Sequence, residues 1–252
     1  WALDVSDPTE PKILHSIRDE RIWTVNGMVR RGDYIFAANK RNHITVFDVR
    51  QPDRPQLLHA IEPRGVNFGS PHDIDLFGPE RIVVVNIQPG EPRDKFHIYH
   101  VGREAAGRPF PPDQWKLEGS LDDPRLLGAN RVRVRDKWAF VACNRGDAVA
   151  TVEMKDPAKP KLRGYLPSPA GPSGLLLTGN LMVGAPGCGG LDAAAGQGQK
   201  PFLEFYDVSK PAEPGLIGRP TFSEVSPDHD LVYRKPCLYA TDQDQDQMVI
   251  IE

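Results

Sequence analysis

The chain has 252 residues, 39% of them apolar, and a formal net charge of −3. That apolar share is enough for a core, yet no run approaches the roughly 18 consecutive apolar residues of a membrane-spanning helix. The slightly acidic balance and the lack of a long Lys/Arg run argue against nucleic acid as a partner.

The first element, residues 1–17, opens "WALDVSDPTEPKIL": a short β-rich stretch, an acid at Asp4, then Pro8 and Pro11. The same acid and proline spacing returns at Asp48, Glu153 and Asp207, each time followed by apolar residues. The interval from Asp48 to Glu153 is about twice the others and holds two periods. In one of them the short proline turn is replaced by the longer loop "REAAGRPFPPDQW", residues 103–115. Proline cannot donate to a strand ladder, so each Pro-x-x-Pro segment belongs in a turn leading to an outer strand.

Ahead of each turn lie two β-rich runs. The first of the pair falls at 34–39, 81–86, 139–144, 181–186 and 237–242, and the second at 44–49, 96–101, 149–154, 203–208 and 248–252. With an inner strand before them and an outer strand after the prolines, each unit has four short strands. Four-stranded units at this period predict an all-β fold, a β-propeller, because each small sheet buries its faces only against its neighbours. The blades fall at 18–61, 70–121, 128–166, 171–218 and 226–252, and residues 1–17 complete the last, so the two termini close one five-bladed domain. The closure carries an overlap, since "WALDV" and "MVIIE" both read as the third strand of a blade. The chain begins at Trp1 without a signal-peptide pattern, as a mature or partial chain would.

On its four D-V-x-x-P-x-x-P-like segments, each with a β-rich run upstream, the chain resembles the LVIVD-repeat β-propellers of bacteria and archaea. That resemblance implies an exported or surface-associated propeller with a periplasmic, extracellular or cell-surface location. It implies no enzymatic activity and transfers no catalytic residue.

In a propeller the innermost strands surround a central channel, and ligands commonly sit at its mouth. Equivalent first-strand positions are Val25-Asn26, His72-Asp73, Asn130-Arg131, Pro172-Ser173 and Asp228-His229. The candidate ligand-binding residues are therefore Asn26, His72, Asp73, Asn130, Arg131, Ser173, Asp228 and His229. His72, His229 and Asp230 mix imidazole and carboxylate donors in a way that suits zinc. In a regular strand, however, His72 and Asp73 point to opposite faces. A plainer role for such residues is to bond backbone groups of the preceding turn. Asp242, Asp244 and Asp246 match the first oxygen positions of a calcium loop, although Gln247 stands where that loop needs glycine.

The remaining signatures are weak. Asp73, Asp75, Asp228 and Asp230 are the first-strand acids available to a glycosidase-like pair. "GPSG" at 171–174 is not a nucleophile elbow, and the Gly-rich 185–200 lacks a phosphate-loop lysine followed by Ser or Thr. Cys143, Cys188 and Cys237 show no zinc or disulfide spacing, and His97 and His100 face opposite sides of one strand. The sequence thus reads as a non-catalytic binding or scaffold propeller that presents a polar channel mouth to a protein or saccharide partner. The alternative is a metal-binding or hydrolase site at the same mouth, centred on His72 and His229.

Overall fold

The computed structural model describes residues 1–7, 9–40, 43–61, 70–87, 96–104, 109–169, 171–187, 201–222, 228–242 and 247–251, with the backbone alone for Asp228 and His229. Five antiparallel sheets stand in a ring as a five-bladed β-propeller. Blade one is β3 (Val25–Arg31), β4 (Tyr34–Asn39), β5 (His43–Asp48) and β6 (Gln56–Ile61). Blade two is β7 (Pro71–Phe77), β8 (Arg81–Asn86), β9 (Phe96–His100) and β10 (Lys116–Leu121). Blade three is β11 (Ala129–Arg135), β12 (Trp138–Cys143), β13 (Ala148–Glu153) and β14 (Lys161–Pro167). Blade four is β15 (Pro172–Thr178), β16 (Leu181–Pro186), β17 (Glu204–Asp207) and β18 (Gly215–Gly218). Blade five has β19 (Asp228–Arg234), β20 (Cys237–Asp242) and β21 (Gln247–Ile251). Ahead of blade one, β1 (Ala2–Asp4) and β2 (Lys12–His15) pair as a two-stranded sheet.

In blades two to four the second strand has blades packed on both its faces, so it reads as an apolar run rather than an alternating one. β8 and β16 are buried at every position after their first. Four apolar clusters lie between successive blades. In the first, Phe36, Ile44 and Val46 of blade one meet Ile74, Ile82 and Tyr99 of blade two. Phe110, from the long loop of blade two, completes that cluster, with its ring 4.9 Å from Phe36 and 5.3 Å from Tyr34. Trp115 donates from Nε1 to the Phe110 carbonyl at 3.2 Å, which ties the loop down.

The repeated acid has a local purpose. Asp4, Asp48 and Asp207 each accept the backbone N–H two residues on, at 2.9, 2.9 and 2.8 Å, and so form Asx turns into the proline segment. Glu153 is one methylene too long for that turn and instead accepts from Arg163 at 3.0 Å.

At the termini the structure departs from simple closure. Residues 1–17 form a sheet of their own instead of the fourth strand of blade five, and no described strand pairs along the outer edge of β21. The cause is the overlap already visible in the sequence, because β1 and β21 are both third strands and cannot share one slot. β1 lies beside the outer face of blade one across a cleft of about 500 Å³, lined by Trp1, Leu3, Val25, Met28, Ile35 and Phe47. No helix among the described residues is long and apolar enough to cross a membrane.

Candidate functional site

The first strands of blades one to four break register at the same place, and that of blade five breaks it one pair further along. Val25 pairs with Asn39 and Gly27 with Ala38, which leaves Asn26 as an extra residue. His72, Asn130 and Ser173 are left over in the same way in blades two, three and four. In blade five Asp228 pairs with Thr241 and Leu231 with Ala240, so His229 and Asp230 are both extra. A bulge of this kind re-aims a side chain that strand alternation would otherwise fix. It settles the register in favour of Asn26, His72, Asn130 and Ser173 as equivalent positions.

Four of these residues form a polar belt that passes from blade to blade. Asn26 Nδ2 lies 2.6 Å from His72 Nε2, and His72 Nδ1 lies 2.9 Å from the Asn130 carbonyl. Asn130 Nδ2 donates to Ser173 Oγ at 3.1 Å. Arg131 enters beside the belt, with Nη1 donating to the Asn130 carbonyl at 3.1 Å and lying 3.1 Å from His72 Nδ1. The roles of the ring nitrogens follow the tautomer, since a protonated Nδ1 donates to the Asn130 carbonyl and an unprotonated Nδ1 accepts from Arg131. Among the described residues Arg131 faces no carboxylate, and Asn130 Oδ1 is a buried acceptor without a partner.

Asp73 is separated from its neighbour His72. It is 3% exposed, and its Oδ2 accepts from the Val132 N–H at 3.0 Å and from Arg133 Nη1 at 2.7 Å. Its other oxygen is packed so closely on blade one that a Cβ on Gly27 would lie 2.0 Å from it. Asp75 repeats the device one step along, accepting from the Val134 N–H at 2.6 Å. Burial pushes the Asp75 carboxyl above its ordinary value, and the Val134 N–H bond opposes that shift only in part. Both carboxylates satisfy N–H groups on the channel-side edge of β11, where no ladder partner exists. Sequence reading missed Arg133, although the alternation Arg131, Arg133, Arg135 signals three guanidiniums along one side of a strand.

Asp230 is exposed and lies 3.9 Å from Arg133 Nη2, across the channel from blade three. The side chains of Asp228 and His229 lie outside the described residues, as do Asp244, Asp246, Cys188 and most of the Gly-rich stretch. Asp242 is buried and accepts from Gln247 Nε2 at 3.3 Å. Among the described residues no three His, Cys, Asp or Glu side chains converge as a metal-binding group. A second buried polar cluster, in blade four, was not anticipated. Glu204 accepts from Ser168, from the Tyr206 hydroxyl at 2.6 Å and from Arg219 Nε at 2.6 Å. Each of these bonds ends on Glu204, which marks the cluster as structural.

No family model matches the chain, and no curated protein matches it. Solved structures do. A chain of a nidogen–laminin complex aligns over 98% of this chain and 81% of its own, at 14% identity and a TM-score of 0.63. A periplasmic gluconolactonase from Pseudomonas aeruginosa aligns over 87% of this chain and 62% of its own, at 15% identity and a TM-score of 0.62. A functionally unknown protein from Desulfotomaculum acetoxidans aligns over 91% of this chain and 69% of its own, at 11% identity and a TM-score of 0.59. At these identities the likeness is one of fold.

Proposed function

We propose that the protein is a non-catalytic binding propeller whose channel mouth receives an anionic, hydroxyl-bearing ligand such as an acidic saccharide. The observation that carries this reading is the bulge-built belt with Arg131 set into it. A guanidinium with no described carboxylate partner, held beside the His72 imidazole, favours an anion. The Ser173 hydroxyl, which accepts from Asn130, keeps its own proton to donate to a ligand oxygen. Both nitrogens of His72 are engaged, and the Arg131 charge 3.1 Å from Nδ1 opposes a second cation there, so the same geometry favours an anion over zinc. LVIVD-type membership and an exported location belong to this proposal, supported by the repeat.

The test is calorimetric titration with glucuronate and with glucose. Glucuronate binds more tightly than glucose, and Arg131→Gln weakens glucuronate roughly tenfold or more while leaving glucose unchanged. Equal binding of the two sugars, or an indifferent Arg131→Gln variant, refutes the reading. A hydrolytic alternative is favoured by one observation, the raised Asp75 carboxyl in the same channel as the ion-paired Asp73. It requires turnover of an aldonolactone that Asp75→Asn abolishes.

A further inference from the structure

One face of each blade is built to receive the next. In blades one and three that face carries an arginine at the end of the first strand and an aromatic ring in the second. Arg31 donates from Nη2 to the carbonyls of Gly78 and Arg81, at 3.0 and 2.8 Å, around the inner hairpin turn of blade two. Its guanidinium lies 5.5 Å from the Phe36 ring centre. Arg135 donates to the Gly179 carbonyl in the inner hairpin turn of blade four, and from Nη2 to Val208 at 2.7 Å, with its guanidinium 5.2 Å from Phe140.

Blade five repeats the same device. Arg31 pairs with Tyr34, Arg135 with Trp138 and Arg234 with Cys237, so Arg234 is the third copy, and Tyr239 stands where Phe36 and Phe140 stand. By the same register, Met248 and Ile250 correspond to Ile44 and Val46 in blade one and to Val149 and Thr151 in blade three. Those four residues are wholly buried, whereas Met248 is 64% and Ile250 55% exposed. Val232, cross-strand from Tyr239, is 50% exposed. The opposite face, with Leu231, Leu238 and Ala240, is buried against Val183, Ala185 and Leu203 of blade four. Arg234 is exposed and has no hydrogen-bond partner among the described residues.

We propose that this face of blade five is an inter-blade surface and that its occupant is a further blade of the same repeat type. That blade lays a strand along the outer edge of β21 and presents the carbonyls of its inner hairpin turn to Arg234. The surface continues the interfaces between blades one and two and between blades three and four, position by position. A membrane or an acidic peptide has no counterpart in those interfaces, where the arginines hold carbonyl oxygens. The two-stranded sheet β1–β2 is not the occupant, because it supplies third- and fourth-strand equivalents and no inner hairpin.

The experiment extends the full chain after Glu252 with a second copy of residues 154–187, which carry an outer strand and the inner hairpin of β15 and β16. The extension raises Tm by about 5 °C. Arg234→Ala removes most of that gain in the extended protein and leaves the Tm of the unextended chain unchanged. Hydrogen exchange supplies a readout independent of Tm, with amides of β21 slowed at least tenfold by the extension. An unchanged Tm together with unprotected β21 amides overturns the proposal. So does sedimentation of the unextended chain as a dimer that Ile250→Lys dissociates, which assigns the face to a second copy.

Discussion

Asp73→Asn tests whether the carboxylate next to His72 belongs to the channel wall or to a ligand site. Asp73 is almost completely buried, and its Oδ2 takes one backbone N–H and one guanidinium N–H from β11. Asparagine preserves the shape and deletes the charge, which leaves Arg133 facing a neutral amide. Removing one partner of a buried ion pair costs about 3–5 kcal/mol. Here the Arg133 side chain keeps 28% of its exposure and has Asp230 at 3.9 Å as a second, distant acid. Both moderate the loss, to about 3 kcal/mol, or about 6–12 °C in Tm for a chain of this size. Equilibrium urea denaturation at pH 7 reads it as a lower midpoint at an unchanged slope. A loss below about 1 kcal/mol, accompanied by weaker glucuronate binding, refutes the reasoning and returns Asp73 to the ligand site.

Asp75→Asn behaves in the opposite way. Its folded-state pKa is raised above 3.8, so the folded chain holds the proton more tightly, and the group's contribution to stability is lost as pH rises from about 3.8 through that raised value. At pH 7 the ionised carboxylate is a burden, and Asp75→Asn is neutral or stabilising in the same urea assay, with its benefit shrinking towards pH 4. Gly27→Ala drives a methyl group to within 2.0 Å of Asp73 Oδ1 and 2.6 Å of its Cα, and the forced shift lowers stability by about 1–3 kcal/mol. Glu204→Ala strips the acceptor from the Ser168 and Tyr206 hydroxyls and strands the partly exposed Arg219, costing about 3 kcal/mol or more by thermal or urea unfolding.

The architecture was legible because a propeller writes its period into local chemistry. The Pro-x-x-Pro turns, the Asx-forming acids and the apolar second strands all recur, and they place β4, β8, β16 and β20 at the expected residues. The site was legible only to within one residue. Strict alternation predicts that His72 and Asp73 face opposite ways but not which one faces the mouth, and the bulge that decides it adds a residue without a sequence marker of its own. Arg133 and Glu204 escaped because their roles depend on partners about 60 and 15–36 residues away, a distance that no local spacing encodes. The overlap of the termini was legible as a conflict, yet which strand would give way depended on pairing between the two ends of the chain.

The bulges also explain why side chains released from strand pairing are confined to one level of the channel. Below the mouth, first strands expose an edge whose N–H groups need acceptors, and Asp73 and Asp75 are spent on Val132 and Val134. The guanidinium nearest them, Arg133, is committed to Asp73 in turn. At the bulge the extra residue lies outside the ladder, and its side chain is not needed to complete it. Asn26, His72, Asn130 and Ser173 can therefore differ from blade to blade without disturbing the strands that carry them. That freedom gives a near-symmetric frame an asymmetric polar belt. Arg131, the residue that follows the bulge in blade three, sets a positive charge beside that belt.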